Sequence, residues 1–168
     1  MKYEKTTKIW LDKLDVYTEA QLLAIPSDNG WSLGQVYVHL ILATDHFFLK
    51  NAERCLNKED TQRGGRKNRN GIIIFVLGGF PNKKYKMPKA NEVIPRQPES
   101  LEELRVKLLR SIAFGKDITQ QLESHDPKEK IQHPAFGYLN AKEWYSMCEM
   151  HFRHHLRQMK RIEKSLGI

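Results

Sequence analysis

Apolar side chains recur at the three- and four-residue spacing of amphipathic helices in four stretches of this chain. The first runs from about Thr6 to Ala24: Trp10, Leu14, Tyr17 and Gln21 form one row, flanked by Leu11 and Leu22, and Pro26 ends it. The cluster Pro26-Ser27-Asp28-Asn29-Gly30 reads as a turn. A second helix opens at Ser32, where Ser32 and Gln35 fit a capping box and Trp31 and Val36 a hydrophobic staple. It is expected to reach about Leu56 and to bury Val36, Leu40, Ala43 and Phe47. A third starts at Ser100, with Glu103 as box partner, and places Leu101, Leu104, Leu108, Ile112 and Leu122 on one face before Asp126-Pro127. The fourth has Asn140 as cap, Glu143 as box partner and Leu139 with Trp144 as staple; it runs to about Ser165, with Gly167 as terminator.

Between residues 58 and 98 the pattern fails. Arg63 to Arg69 is basic and Gly-rich and reads as a mobile loop. Ile72 to Leu77 is apolar but too short for periodicity to assign to helix or strand. Lys83, Lys84, Lys86 and Lys89 follow, and Pro88, Pro95 and Pro98 oppose long regular structure. His133 to Tyr138 reads as a second loop. The expected fold is an all-α antiparallel four-helix bundle, a single domain over residues 1–168, with a long crossover connection at about 58–98.

Composition narrows the class. With 168 residues, 40% of them apolar, the chain has enough for a core, which excludes a disordered tail, a collagen-like fibre and a disulfide-stapled miniprotein. Two cysteines, Cys55 and Cys148, fit a reducing compartment. Met1 to Lys5 shows no signal-peptide pattern, and Ile72 to Leu77 is too short to span a bilayer. A cytoplasmic protein with no membrane partner is therefore expected. The formal net charge of +8 suggests an anionic partner. The cations at 63–69 and 83–89 raise nucleic-acid binding, but no recognition helix, zinc-finger spacing or aromatic platform accompanies them. Attracting an anionic substrate is another use for them.

The buried stripe of the fourth helix carries the candidate chemistry: Trp144, Met147 with Cys148, then His151, His155, Met159, Ile162 and Leu166. His151 and His155, four residues apart, lie about 40° apart in azimuth and about 6 Å in rise, so both imidazoles can converge on one ion. His39, beside Leu40 on the second helix, can supply a third from a facing element. Three imidazoles with open positions suit Zn, Ni, Fe or Cu. The plainer alternative is a structural histidine pair, but burying ring nitrogens without partners costs about 1–3 kcal/mol each. His46, two turns along from His39, is expected to line the pocket or pack, not to ligate. His154 is expected beside the site or on the surface, and Gln158 could hydrogen-bond a ligating imidazole. Cys148 could be a fourth ligand, although a small core residue is the more economical reading.

Three blocks carry a resemblance. Trp31-Ser32 with His39-Leu40 resembles the WSxxxxxxHL segment of the DinB/YfiT-like superfamily, and residues 133–144 resemble its HPxFGxLxxxEW stretch. Residues 151–158 resemble its HxxHHxxQ helix, closest to an uncharacterised bacterial branch with that ending. The resemblance implies a bundle with a long crossover and a metal site whose ligands fall on His39, His151 and His155. It implies Zn or Ni as the ion, a small-molecule substrate, a low-molecular-weight thiol among the candidates, and a homodimer. Relatives of this kind include metal-dependent thiol transferases and enzymes of isomerase or hydrolase type. A metal-dependent transferase or hydrolase is the function expected, a non-catalytic metal- or ligand-binding bundle the alternative, and nucleic-acid binding ranks behind both. The blocks do not extend to Lys58–Pro98, so no substrate is named there.

Overall fold

The computed structural model describes residues 2–26, 30–81 and 94–168. Residues Ser27 to Asn29 of the expected turn, and the Lys83 to Lys89 run with Pro88, lie outside them. The expected first helix is two: α1 (Lys2–Leu14) and α2 (Glu19–Leu23). The break falls where Thr18 turns extended and caps α2, its hydroxyl accepting from the Gln21 N–H while the Gln21 side chain reaches back. α3 (Leu33–Ala43) is capped by Ser32 and Gln35 as expected. It continues through a π-helical stretch (Thr44–Leu49) into α4 (Lys50–Asn57), so the second helix is continuous but not uniform.

Residues 62–77, which follow, lie against a small sheet. β1 (Gln62–Arg63) pairs antiparallel with β2 (Glu129–His133), and β2 with β3 (Gly137–Asn140). The expected mobile loop therefore has partners: the Gly64 N–H donates to the Lys128 carbonyl at 2.8 Å, and the Tyr138 N–H to that of Arg66 at 3.1 Å. The second expected loop is the tip of the β2–β3 hairpin. Its Gly137 has φ +79°, and a Cβ there would stand 2.6 Å from the Arg66 carbonyl oxygen, so glycine is required on both counts. Ile72 to Leu77 belongs to a helix, α5 (Arg69–Leu77), capped by Asn68.

α6 (Leu101–Gln121) and α7 (Ala141–Leu166) complete the bundle. Ser100 caps α6, but the box is half made: the Glu103 carboxylate turns instead to the Glu99 N–H, Arg96 and Lys107. Asn140 and Glu143 cap α7 reciprocally, and Gly167 ends it in the left-handed conformation.

α7 packs on α1, α3 and α4, and α6 on α1 and α3. Pairing of Tyr3 with Tyr145 and of Lys13 with Glu163 makes α1 and α7 parallel. Tyr3 with Ser111, and Asp15 with Arg105, make α1 and α6 antiparallel. α3–α4 runs antiparallel to α7, with His39 against His151 and Phe47 against Trp144. The core is aromatic where the helices meet: Trp10 lies 5.0 Å from Tyr37 and 6.0 Å from Phe152, ring centre to ring centre. Small residues on α6 admit α1, since a Cβ on Gly115 would meet the Tyr3 ring at 2.5 Å.

Candidate metal centre

The fourth-helix stripe delivers its two histidines to α3. Nε2 of His151 lies 3.1 Å from Nε2 of His39 and 3.1 Å from Nε2 of His155, and one nitrogen from each ring lies within 4.8 Å of the others. The three edges therefore meet at one point between α3 and α7. A neutral ring nitrogen carries either one proton or one lone pair, so it makes one good hydrogen bond. His155 directs its Nδ1–H to Gln158 Oε1 at 2.7 Å, which leaves a lone pair on its Nε2. Nε2 of His151 can then satisfy one neighbour but not both. A cation at the focus satisfies all three, and N···N edges of 3.1 Å suit an ion held at about 2.0–2.1 Å from each nitrogen.

Burial keeps these rings neutral. It pulls His39 down to about 4. His155 is taken to about 3 by burial and by His39 beside it, against the hydrogen bond it donates to Gln158. His151 falls well below the ordinary histidine range through burial and then through His155, His39 and His154. Neutral imidazole is the ligating form. Nδ1 of His151 is shut off from solvent with no hydrogen-bond partner among the described residues, an uncompensated cost of about 1–3 kcal/mol.

Aromatic rings wall the cluster. Trp31 lies 5.1 Å from His39, Phe48 5.3 Å from His151, and Phe80, just past α5, 6.3 Å from His151 and 5.6 Å from His154. Trp31, expected as half of a staple, thus packs on a histidine. The set is fastened to the hairpin through Trp144, which meets Phe47 at 5.1 Å and His133 at 5.1 Å.

The remaining candidates sort by position. Gln158 reaches the cluster, as its spacing suggests. His154 lies beside it, its ring 5.3 Å from His155, with Nδ1 buried and unpartnered among the described residues. His46 does not line the pocket: it is exposed, because the π-helical stretch advances each residue by less than the 100° of an α-helix and turns position 46 away. Cys148 is fully buried, stands outside the histidine group and approaches the Trp144 carbonyl one turn back, so it serves the core. Glu143 is committed to the α7 cap and to Lys67. Phe48 and Phe80 were invisible as site residues, since one depends on the π turn and the other sits in a patternless connection.

The fold agrees with a solved structure. The crystal structure of TT2238, a four-helix bundle protein, superposes with a TM-score of 0.60 at 21% identity, covering 95% of this chain and 94% of that one. No curated protein matches the sequence. The sequence model of the DinB superfamily matches residues 2–159, nearly the whole chain. With a three-histidine cluster compatible with a divalent metal inside a four-helix bundle, the chain belongs to the DinB superfamily.

Proposed function

We propose that this protein is a metal-dependent enzyme acting on small molecules, in which His39, His151 and His155 hold a divalent ion, Zn or Ni, through their Nε2 atoms. The convergence of three neutral imidazoles on one point supports this reading, because hydrogen bonding among them leaves one contact of His151 unsatisfied. When bound, such an ion supplies Lewis acidity, lowering the pKa of a coordinated thiol or water towards neutrality. Transfer of a low-molecular-weight thiol to an electrophile and hydrolysis are the two reaction classes this serves.

The chain's own residues do the rest. Gln158 fixes the His155 tautomer by accepting its Nδ1 proton, so the Nε2 lone pair faces inward. Trp31, Phe48 and Phe80 restrict water and lower the local dielectric, which strengthens every electrostatic interaction at the cluster. All three candidate ligands are protein imidazoles from two rigid helices, which leaves positions for substrate.

Metal content by mass spectrometry on tag-free protein tests the proposal, with His151→Ala as the control. The expected result is about one ion per chain, lost in the variant, with X-ray absorption showing at least one ligand beyond the three imidazoles. A fourth protein donor closing the shell would make the site non-catalytic. Absence of metal after incubation with Zn and Ni would overturn the reading.

A further inference from the structure

α5 is covered on one side only. Gly71 and Ile74 face inward, and a Cβ on Gly71 would stand 2.2 Å from the Phe136 carbonyl oxygen on the hairpin. On the other side Ile72, Ile73, Val76 and Leu77 expose 53%, 40%, 80% and 65% of their surface. Spaced i, i+1, i+4 and i+5, they form one stripe, on the order of 400 Å² of aliphatic surface. In the sequence, charge flanks that stripe in one sign. From Thr61 to Asn91 the chain carries 8 Lys or Arg and no Asp or Glu, while the rest of it balances at 20 against 20, so the whole net charge of +8 belongs to this segment. Arg63 and Lys67 are paired with β2 and α7 carboxylates. Arg66 and Arg69, at the approach to α5, are exposed and make no ion pair among the described residues.

The two features together choose the occupant. A second copy docked through this stripe would set two like-charged segments against each other, on about half the roughly 800 Å² per partner of a stable interface. The homodimer that the resemblance implies would need another face. A nucleic acid would use the cations but leave the aliphatic stripe in water. An anionic bilayer uses both, taking the apolar side chains to the headgroup–acyl boundary and the cations to the headgroups.

We propose that α5 is a docking element for anionic lipid surfaces, with Ile72, Ile73, Val76 and Leu77 inserted and Arg66 and Arg69 on the headgroups. The element lies on the bilayer and does not cross it; among the described residues no helix is long and apolar enough to do so. The expectation of no membrane partner came from run length, which speaks only to spanning. The inference does not rest on the metal reading, but it gives the site a setting. α5 leads through Gly78 and Gly79 to Phe80 over His151 and His154, and Arg153 holds the Gly78 carbonyl.

The test is co-sedimentation of the full chain with vesicles of phosphatidylcholine alone and of an equimolar mixture with phosphatidylglycerol. Pelleting is expected with the mixed vesicles only, weakened about tenfold by NaCl at about 500 mM. Val76→Asp with Leu77→Asp should weaken it at least about tenfold, and Arg66→Glu with Arg69→Glu several-fold. These side chains are exposed, so melting temperatures should stay near wild type; if the aspartates disturb them, Val76→Ser with Leu77→Ser replaces that pair. The proposal is overturned if wild type ignores mixed vesicles or if the stripe variants bind them unchanged. It is also overturned if light scattering shows a dimer that the stripe variants dissolve, or if duplex DNA displaces the vesicles.

Discussion

Removing the Gln158 side-chain amide asks whether the histidine cluster is built for an ion. In Gln158→Ala, the His155 Nδ1–H loses the acceptor now 2.7 Å away, and the imidazole is free to exchange tautomers or rotate. Burial has already taken His155 to about 3, so the ring stays neutral near pH 7, and what is lost is orientation and basicity. Partners of this kind are typically worth a factor of about 10–100 in metal affinity, or roughly 1.4–2.7 kcal/mol. Losing one hydrogen bond at this partly buried site costs the fold about 1 kcal/mol. The assay is competition for Zn and Ni against a chelator of known affinity, with urea unfolding of the metal-free proteins alongside. Gln158→Glu keeps an acceptor and should restore affinity to wild type or above, since a carboxylate makes the imidazole a stronger donor. A Gln158→Ala protein that binds both metals within about twofold of wild type would refute the role given to this contact. If stability falls while affinity holds, Gln158 serves only helix packing.

Other outcomes follow from the same structure. Zn at about one hundred times its dissociation constant should stabilise the metal-free protein by about 2.7 kcal/mol in urea unfolding, and should leave His151→Ala unmoved. Gly71→Ala drives a Cβ towards the Phe136 carbonyl and should cost about 1–3 kcal/mol by the same measurement, as α5 is levered off the hairpin. Tyr37→Phe deletes the donor to the Trp10 carbonyl, 2.7 Å away in the core, and should cost about 1–2 kcal/mol. Burial alone would raise the Glu103 carboxyl, but hydrogen bonds from Arg96, Lys107 and the Glu99 N–H outweigh it and hold it down at about 2. Its contribution is therefore complete above the ordinary glutamate range and is lost as pH falls from about 4.5 to about 2. Discounted for solvent at this helix end, Glu103→Gln should be about 1–2 kcal/mol less stable at pH 7, with the gap closing in acid.

The parts legible in the sequence are those fixed by local chemistry. Ser32, Asn140 and Gly167 announce helix ends because each satisfies backbone groups within a few residues of itself. The His151–His155 pair and its Gln158 partner are visible for the same reason, being fixed by the pitch of one helix. The break at Thr18 is not legible although its box is equally local, because the apolar row runs on through Tyr17 and Leu22 and masks it. The hairpin at 129–140 is not legible because its strands are short and its turn is stacked inward, Phe136 on His133 and His133 on Trp144. Its pairing with β1 joins residues more than sixty apart, and no periodicity reports that.

The π-helical stretch is the local feature with the largest consequence for the site. A uniform α-helix from Ser32 to Asn57 would set His46 on the His39 flank, two turns along. The wider turn over Thr44–Leu49 exposes His46 and places the adjacent rings Phe47 and Phe48 on the α7 side, 5.1 Å from Trp144 and 5.3 Å from His151. Within the stretch, Oγ1 of Thr44 and Oδ1 of Asp45 are buried without hydrogen-bond partners among the described residues, and the Asn51 amide donates to the Phe47 carbonyl. What the stretch supplies to the cluster is an apolar wall, the Phe48 ring against His151. Under the three-imidazole proposal that wall offers no further nitrogen or oxygen ligand, which fits a site with positions left for substrate.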